Sequence, residues 1–325
     1  VIIARTPLRI SFAGGGTDLP SFYRAHGGGA VTSAAIDRYV YVVLNPHFDR
    51  SIRVAYSRTE NVEQLDELQH GLVREAMRKV GVRDSIEIHT IADIPSQGTG
   101  LGSSSTLTVG LLNALYASRG TRADPERLAS EACEIEIDRL GGTLGKQDQY
   151  IAAYGGVQHF EFHADGSVRT VPLGLSQLES ERLASHLSLF YTGITRQAQG
   201  ILRSQDARTE ANKESLAKMR GLAEATRDAL LAHDYERLGR LLDDGWQLKR
   251  TLSQGISTEA IDAAYARARS AGAYGGKVAG AGGGGFLLVV HPAGQSREIA
   301  AALPGMRHLP VRISSGGSQL LTVTD

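Results

Sequence analysis

The 325-residue chain sets 35 Lys and Arg against 35 Asp and Glu, a balance that argues against nucleic-acid or membrane-surface binding by bulk charge. A single cysteine, Cys133, excludes an intramolecular disulfide and a cysteine-based zinc site, and no apolar run approaches the roughly 18–20 residues of a membrane span. Hydrophobic residues make up 42%, enough for a core, and the length suggests two domains or one large one. The start, Val1 to Pro7, has neither an apolar leader region nor a transit-peptide composition. The expectation is a cytoplasmic protein, monomeric or homodimeric, that acts on a small molecule.

In chain order, Arg38 to Leu44 and Ser51 to Tyr56 are rich in β-branched and aromatic residues and read as strands. Asn61 to Val80 reads as a helix, with Leu65, Leu68, Leu72, Val73 and Ala76 on one stripe. Ser85 to Ile91 alternates as a strand does, and a Gly/Ser loop then leads into an apolar helix from Ser104 to Ala117. Asp124 to Leu140 reads as a helix stopped by Gly141-Gly142. Val157 to Phe162 and Ser167 to Val171 have the pattern of a hairpin around Ala164-Asp165-Gly166. The texture changes near residue 174. After a strand at Leu187 to Tyr191 come helical stretches at Arg196 to Ala232, Asp234 to Leu252 and Thr258 to Ala271, whose many charges read as solvated faces with no catalytic part. A glycine-rich segment, the strand Phe286 to Val290, a last helix and two short strands complete the chain. Two units, 1–174 and 175–325, are expected.

Glycine is in surplus: 38 residues, against an average usage of about 7%. The excess is clustered, and one cluster has the strongest chemical signal. Pro95-Ser96-Gln97-Gly98-Thr99-Gly100-Leu101-Gly102-Ser103-Ser104-Ser105 lies between a strand and an apolar helix. Glycines let the backbone approach a ligand, and the helix start adds unpaired N–H groups with partial positive charge, so the pair makes an anion site suited to a triphosphate. Serine hydroxyls can serve phosphate or Mg²⁺, which prefers oxygen ligands. A simple serine N-cap behind a flexible loop needs one hydroxyl, not three serines after three alternating glycines. The Walker pattern is absent. A literal dinucleotide fingerprint occurs at Gly280 to Gly285, but it leads into a strand rather than opening a helix, the wrong order for a nicotinamide oxidoreductase.

Three segments together resemble the GHMP kinases, the family of galactokinase, homoserine kinase and mevalonate kinase. They are Pro7 to Asp18, the Gly/Ser loop, and Lys277 to Phe286. Within that family, Phe12 to Asp18, Gly145 to Tyr150 with Gly155-Gly156, and Tyr191 to Arg196 are similar to bacterial kinases acting on D-glycero-D-manno-heptose 7-phosphate; fucose kinase domains share part of the pattern. The resemblance implies an α+β fold of two domains, the first like ribosomal protein S5 and the second with a ferredoxin-like sheet, with the active site between them. It implies ATP as donor, Mg²⁺, and a sugar phosphate as acceptor, with the anomeric hydroxyl receiving the phosphate.

Roles follow residue by residue from that resemblance. Pro95, Gly98, Gly100, Leu101, Gly102, Ser103, Ser104 and Ser105 would hold the nucleotide. Asp148 would be the base, and Arg9 the cation that pairs with it and with the transferring phosphoryl group; alone, Asp148 reads equally well as an acidic residue at a helix start. Glu136 would join Ser103 or Ser104 as the metal site, with Glu134 its rival, because two positions apart on a helix the side chains diverge by about 200°. Gly14, Gly15, Gly16, Thr17 and Asp18 would lie against the sugar, though Asp18 before Pro20 also suits an Asx turn. Gly282 and Gly283 would approach the same site. Lys146 and Arg196, which sit in the family-like segments, are the candidates for a substrate phosphate, followed by Arg24 and Arg38, and Lys277 could cap backbone or touch a ligand. Gly15-Gly16 and Lys146-Gln147 depart from galactokinase and put plain galactose in doubt. The rival readings are a fucose- or galactose-type kinase, a non-catalytic sensor, and an oxidoreductase.

Overall fold

The computed structural model describes residues 1–95, 98–195 and 198–323. The first half begins with β1 (Ile2–Ala13), a short α1 (Pro20–Tyr23) and a long strand, β2 (Gly29–Pro46). Then come β3 (Ile52–Ala55), β4 (Thr59–Val62), α2 (Gly71–Val80), β5 (Ile86–Ala92), α3 (Ser103–Ser118), α4 (Pro125–Cys133), α5 (Gln147–Tyr154), β6 (Val157–Phe162) and β7 (Val168–Pro172). The second half runs α6 (Gln177–Ser185), β8 (Leu187–Tyr191), α7 (Ala198–Ala207), α8 (Lys213–Leu231), α9 (Tyr235–Leu252), α10 (Glu259–Ser270), β9 (Gly275–Val278), β10 (Phe286–Val290), α11 (Ser296–Ala301), β11 (Arg307–Pro310) and β12 (Gln319–Val323). No helix is long and apolar enough to cross a membrane among the described residues.

Two sheets organise these elements. In the first, the order is β12-β1-β2-β5-β3-β4, and β2 is long enough to pair with β5 along Val40 to Pro46 and with β6 along Gly29 to Ala34. All pairings are antiparallel except β3 with β5. The second sheet has the antiparallel order β11-β8-β10-β9, which is the ferredoxin-like arrangement expected for the C-terminal part. The last strand, β12, leaves that half and pairs with β1, so the chain's end completes the first sheet.

Helix α3 packs on β1 and β2, and nearly every side of it is covered: Val109, Leu111, Leu112, Ala114 and Leu115 are all fully buried. Apolarity all round, rather than one stripe, is what a central helix needs. The two halves share one hydrophobic cluster, in which Leu8, Ile10, Phe12 and Leu101 meet Leu238, Leu242, Phe286, Leu288 and Val290. Removing that apolar surface from water holds the halves against each other.

Several sequence expectations are corrected. The helix expected over residues 61–80 begins only at Gly71; Thr59–Val62 is a strand, because Ile52 pairs with Val62 and captures this segment for the sheet. The stretch from 196 to 232 is two helices, broken around Asn212, whose side-chain amide donates to the Leu252 carbonyl at 2.9 Å. The helix expected over 124–140 changes to π-helical winding at Glu134–Arg139 before Gly142 N–H closes it on the Glu136 carbonyl at 2.9 Å. Two glycine clusters that had no reading have structural work. Arg220 donates to the carbonyls of Gly27 and Gly28, and Gly316-Gly317 packs backbone to backbone on Gly155.

Gly155 carries a sharp test of that packing. Its φ is +72°, and a Cβ there would lie 2.1 Å from the Gly316 carbonyl carbon, which is backbone and cannot swing aside. Gly155→Ala is expected to cost about 3 kcal/mol or more in urea unfolding. Gly81→Ala, at φ +82° in open space, isolates the conformational strain and should cost only about 1 kcal/mol.

Candidate active site

The Gly/Ser loop crosses from β5 to α3, with Gly102 as the N-cap at φ +81°. No side chain caps α3, so the first-turn amides of a 16-residue helix remain open towards the loop. The three serines divide by direction. Ser103 Oγ is buried and without a partner, Ser104 is exposed, and Ser105 Oγ donates to Glu136 Oε2 at 2.8 Å. Leu101 puts its side chain in the core and its carbonyl on the Arg9 N–H, while Pro95 is exposed on the approach to the loop.

Against this loop stands a charged pair. Arg9 Nε and Nη2 donate to the two oxygens of Asp148, each at 2.7 Å, and Arg9 Nη1 donates to the Gly100 carbonyl. Strand β1 fixes the arginine and the N-terminus of α5 fixes the carboxylate. Bidentate pairing of this kind sets orientation as well as charge. A Cβ on Gly102 would come within 3.3 Å of Asp148 Oδ2, so glycine is what lets the carboxylate reach the loop. The side chain of Asp148 is 22% exposed against 5% for Arg9, which leaves the carboxylate accessible and the cation behind it.

Glu136 and Glu134 separate as their spacing requires. Glu134 pairs with Lys79 and Arg139 at the surface. Glu136 is buried, and its carboxylate accepts from Thr108 Oγ1, Ser105 Oγ and Gln149 Nε2. All three donors are neutral, and burial, helped by the nearby Asp148 charge, pushes the Glu136 carboxyl up to about 7. A buried carboxylate lacking a cation, hydrogen-bonded through Ser105 to the turn of α3 that carries the unpartnered Ser103 oxygen, offers oxygen donors of the kind Mg²⁺ prefers. It is a two-residue site, and no cluster of three or more His, Cys, Asp or Glu that could hold a metal occurs among the described residues.

The sugar-side expectations fare unevenly. Thr17 is fully buried, and its hydroxyl serves the Gly14 and Ala30 carbonyls and the Ala30 N–H; it holds the loop and faces no ligand. Asp18 takes the turn role, accepting from Gly16 N–H at 2.9 Å and from Gln147 backbone and side chain, so it ties the first glycine loop to the start of α5. Burial raises its pKa. Gly14 packs on the Ala30 carbonyl, whereas Gly15 has room and faces Gln147 and Ser11. Gly282 packs on Ile256, and Gly283 N–H donates to the Ile256 carbonyl at 2.8 Å. Lys146 Nζ bonds the Gly166 carbonyl and lies 5.5 Å over the Tyr23 ring, in a cavity of about 290 Å³ that also holds Glu126, Glu134 and Asp138. Arg24 lines the same cavity, so two cations and three carboxylates border it, and Glu134 is already paired with Lys79 and Arg139. Arg196 lies outside the described residues. The run Gly280 to Gly285 turns between the antiparallel strands β9 and β10, which removes the dinucleotide reading.

Residues that the sequence reading missed complete the site. Gln205 on α7 is buried with its Nε2 unpartnered, 2.3 Å from where a Gly16 Cβ would be. Ser11 Oγ and Gln147 Oε1 are buried and unpartnered around the same loop. Lys249 on α9 is also buried, its Nζ donating to the Gly280 carbonyl; of the two alternatives open for Lys277, backbone cap or ligand contact, its Nζ takes the first, on the Phe12 carbonyl at 3.3 Å. Lys249 had a legible signal: it stands on the apolar stripe Leu238, Leu242, Trp246, Leu252, where a solvated lysine does not belong.

An open helix end for a polyphosphate, with a carboxylate held against it by its own cation, is the equipment of a phosphotransferase. Comparison with known proteins agrees. Residues 68–156 match the GHMP kinases N terminal domain and residues 226–306 the GHMP kinases C terminal domain. The D-glycero-alpha-D-manno-heptose 7-phosphate kinase of Campylobacter jejuni is 32% identical over 304 aligned residues, covering 88% of each chain. The L-fucokinase/L-fucose-1-P guanylyltransferase of Bacteroides fragilis is 28% identical across 98% of this chain and 38% of its own. A solved D-glycero-D-manno-heptose 1-phosphate kinase from Bacteriodes thetaiotaomicron superposes with a TM-score of 0.82 at 26% identity, covering all of both chains. The chain belongs to the GHMP kinases.

The burial of Glu136 has a measurable consequence. Its folded-state pKa lies above the unfolded value, so the folded protein holds a proton that the unfolded chain releases, and stability falls as pH rises from about 4.5 to about 7. Between pH 4 and pH 8 the parent should lose about 3 kcal/mol more unfolding free energy than Glu136→Gln when both are measured without metal.

Proposed function

We propose that this protein is an ATP- and Mg²⁺-dependent sugar kinase that phosphorylates the anomeric C1 hydroxyl of D-glycero-D-manno-heptose 7-phosphate to the 1,7-bisphosphate, a step towards nucleotide-activated heptose. The observation that carries the reading is the Arg9–Asp148 pair seated on the Gly/Ser loop. Phosphoryl transfer is mainly positioning and charge stabilisation, and this pair supplies a proton acceptor at the place where the loop and helix would hold the phosphates. In this reading Asp148 takes the hydroxyl proton of the acceptor, and Arg9 keeps the carboxylate in place. Mg²⁺ would be held by Ser103 Oγ and Glu136, and when bound it neutralises phosphate charge. Gln205, Ser11 and Gln147 offer unpartnered polar atoms around Gly15 and Gly16, in keeping with an acceptor rich in hydroxyls.

The acceptor rests on the likeness to the Campylobacter jejuni kinase, while the solved relative is named for a heptose 1-phosphate. A coupled ADP-release assay with heptose 7-phosphate, heptose 1-phosphate, fucose, galactose and mevalonate discriminates among them. Heptose 7-phosphate is expected to give the highest kcat/KM and a 1,7-bisphosphate product. Preferred turnover of another sugar reassigns the acceptor, and turnover of mevalonate alone rejects the sugar-kinase reading. Asp148→Asn should lower kcat by about 10²–10⁴-fold with the affinity for a non-hydrolysable ATP analogue retained. Near-parental kcat would remove Asp148 as the base.

A further inference from the structure

We propose that Lys249 is a second cation, beside Arg9, that meets the phosphoryl group in transit, a catalytic residue contributed by helix α9 from the second half of the chain. The inference rests on the kinase reading above. Arg9 is poorly placed to act alone in this role: Asp148 takes its Nε and Nη2, the Gly100 carbonyl takes Nη1, and its charge is matched by the carboxylate it holds. Lys249 is not matched by a carboxylate in this way. Its Nζ donates to a neutral oxygen, the Gly280 carbonyl, and it forms no ion pair with a carboxylate among the described residues. It is only 5% exposed, so water does not screen its charge.

Its place in the fold puts that charge at the phosphate loop. Gly280 lies against Gly100 so closely that a Cβ on Gly280 would fall 2.6 Å from the Gly100 Cα. The Gly100 carbonyl in turn receives Arg9, which grips Asp148. The charges acting on Lys249 are those of Arg9, Asp18 and Asp148, and Lys277 lies close enough to feel it as well. Three basic groups thus share a buried neighbourhood with two acidic ones, and of the two lysines burial pushes Lys277 further towards its neutral form, well below the usual ammonium range. Unmatched buried charge is costly, and an anionic ligand would offset it. Burial lowers the Lys249 ammonium to about 8, which leaves it mostly charged at neutral pH. Lys277 is set apart from the reaction: its Nζ is on the Phe12 carbonyl, and Asp148 is not among the charges that shift it.

In the transfer, the acceptor oxygen forms its bond to the γ-phosphorus as the bond from that phosphorus to the β,γ-bridging oxygen breaks. The bridging electron pair leaves with ADP, and the hydroxyl proton passes to Asp148. Lys249 makes and breaks no covalent bond. It donates to the oxygens of the moving phosphoryl group, where charge is concentrated in the transition state, and a fixed cation in a dry site stabilises that charge most.

Two neutral variants separate charge from anchoring. Lys249→Gln keeps an N–H donor for the Gly280 carbonyl and loses the charge; Lys249→Met loses both; Lys249→Arg keeps the charge. Both neutral variants are expected to lower kcat by about 10²–10³-fold, with the acceptor KM and AMP-PNP affinity within about threefold of the parent. Binding of ADP with Mg²⁺ and fluoroaluminate, a mimic of the phosphoryl group in transit, should weaken by a similar factor, and Lys249→Arg should recover part of both. Parental kcat in Lys249→Gln would overturn the inference and leave Lys249 as an anchor of the glycine run. Equal loss of AMP-PNP and fluoroaluminate binding would overturn it too, as would a raised acceptor KM with unchanged kcat. Fluoroaluminate binding is read without sugar, so it tests the lysine even where the assigned acceptor proves wrong.

Discussion

The site depends on one close approach, the backbone of Gly100 lying directly on the backbone of Gly280. A Cβ on Gly100 would fall 2.4 Å from the Ala279 carbonyl oxygen, and one on Gly280 would fall 2.6 Å from the Gly100 Cα. No side chain fits between these segments, so the loop that opens α3 and the turn between β9 and β10 form a single layer. Gly285 extends the contact, since its missing Cβ leaves space for the Thr99 carbonyl. The two sheets are thereby joined at the place where chemistry is expected, and the apolar cluster of Leu8, Ile10, Leu101, Leu238 and Leu288 secures them behind it.

That layer explains why so many charges can be buried nearby. Arg9 and Asp148 satisfy each other through two hydrogen bonds, which limits the desolvation cost of the pair. Glu136 and Lys249 have neutral partners only, and burial shifts each of them towards its uncharged form. Buried groups of both signs thus lie near the glycine loop without counter-ions, Glu136 through Ser105 and Lys249 through Gly280.

Sequence patterns revealed some of this and concealed the rest. Helix α3 and strand β10 are legible because long apolar runs persist whatever they pack against. The strand β1 is not, since Arg5, Thr6, Pro7 and Arg9 interrupt it, and it exists because β2 and β12 pair with it on both sides. Helix α5 has eight residues, too few to be stable by propensity, and it is held by packing on α3 and α4. The helix expected from Asn61 loses its start because local periodicity does not register a partner strand, and β3 pairs with Thr59–Val62; Leu65 lies in a single 3₁₀ turn and Leu72 in α2. Lys249 was visible as a charge on an apolar stripe, but its meaning depended on what the stripe packed against.

The sequence by itself determined the chemical vocabulary: a balanced chain without cysteine chemistry, glycines grouped rather than scattered, three serines at a helix start, and Arg9, Glu136 and Asp148 in segments that resemble the GHMP kinases. Such features are local, and neighbours along the chain are enough to express them. Only the tertiary structure decided which groups face one another. It buried Thr17 and gave its hydroxyl to the loop's own carbonyls, turned Asp18 into a tie between two loops, set Lys146 on the Gly166 carbonyl, and brought Lys249 to Gly280 from 31 residues away. The reason is physical: burial and partnership are properties of the packed chain, and they determine whether a polar side chain is spent on the fold or left for a ligand.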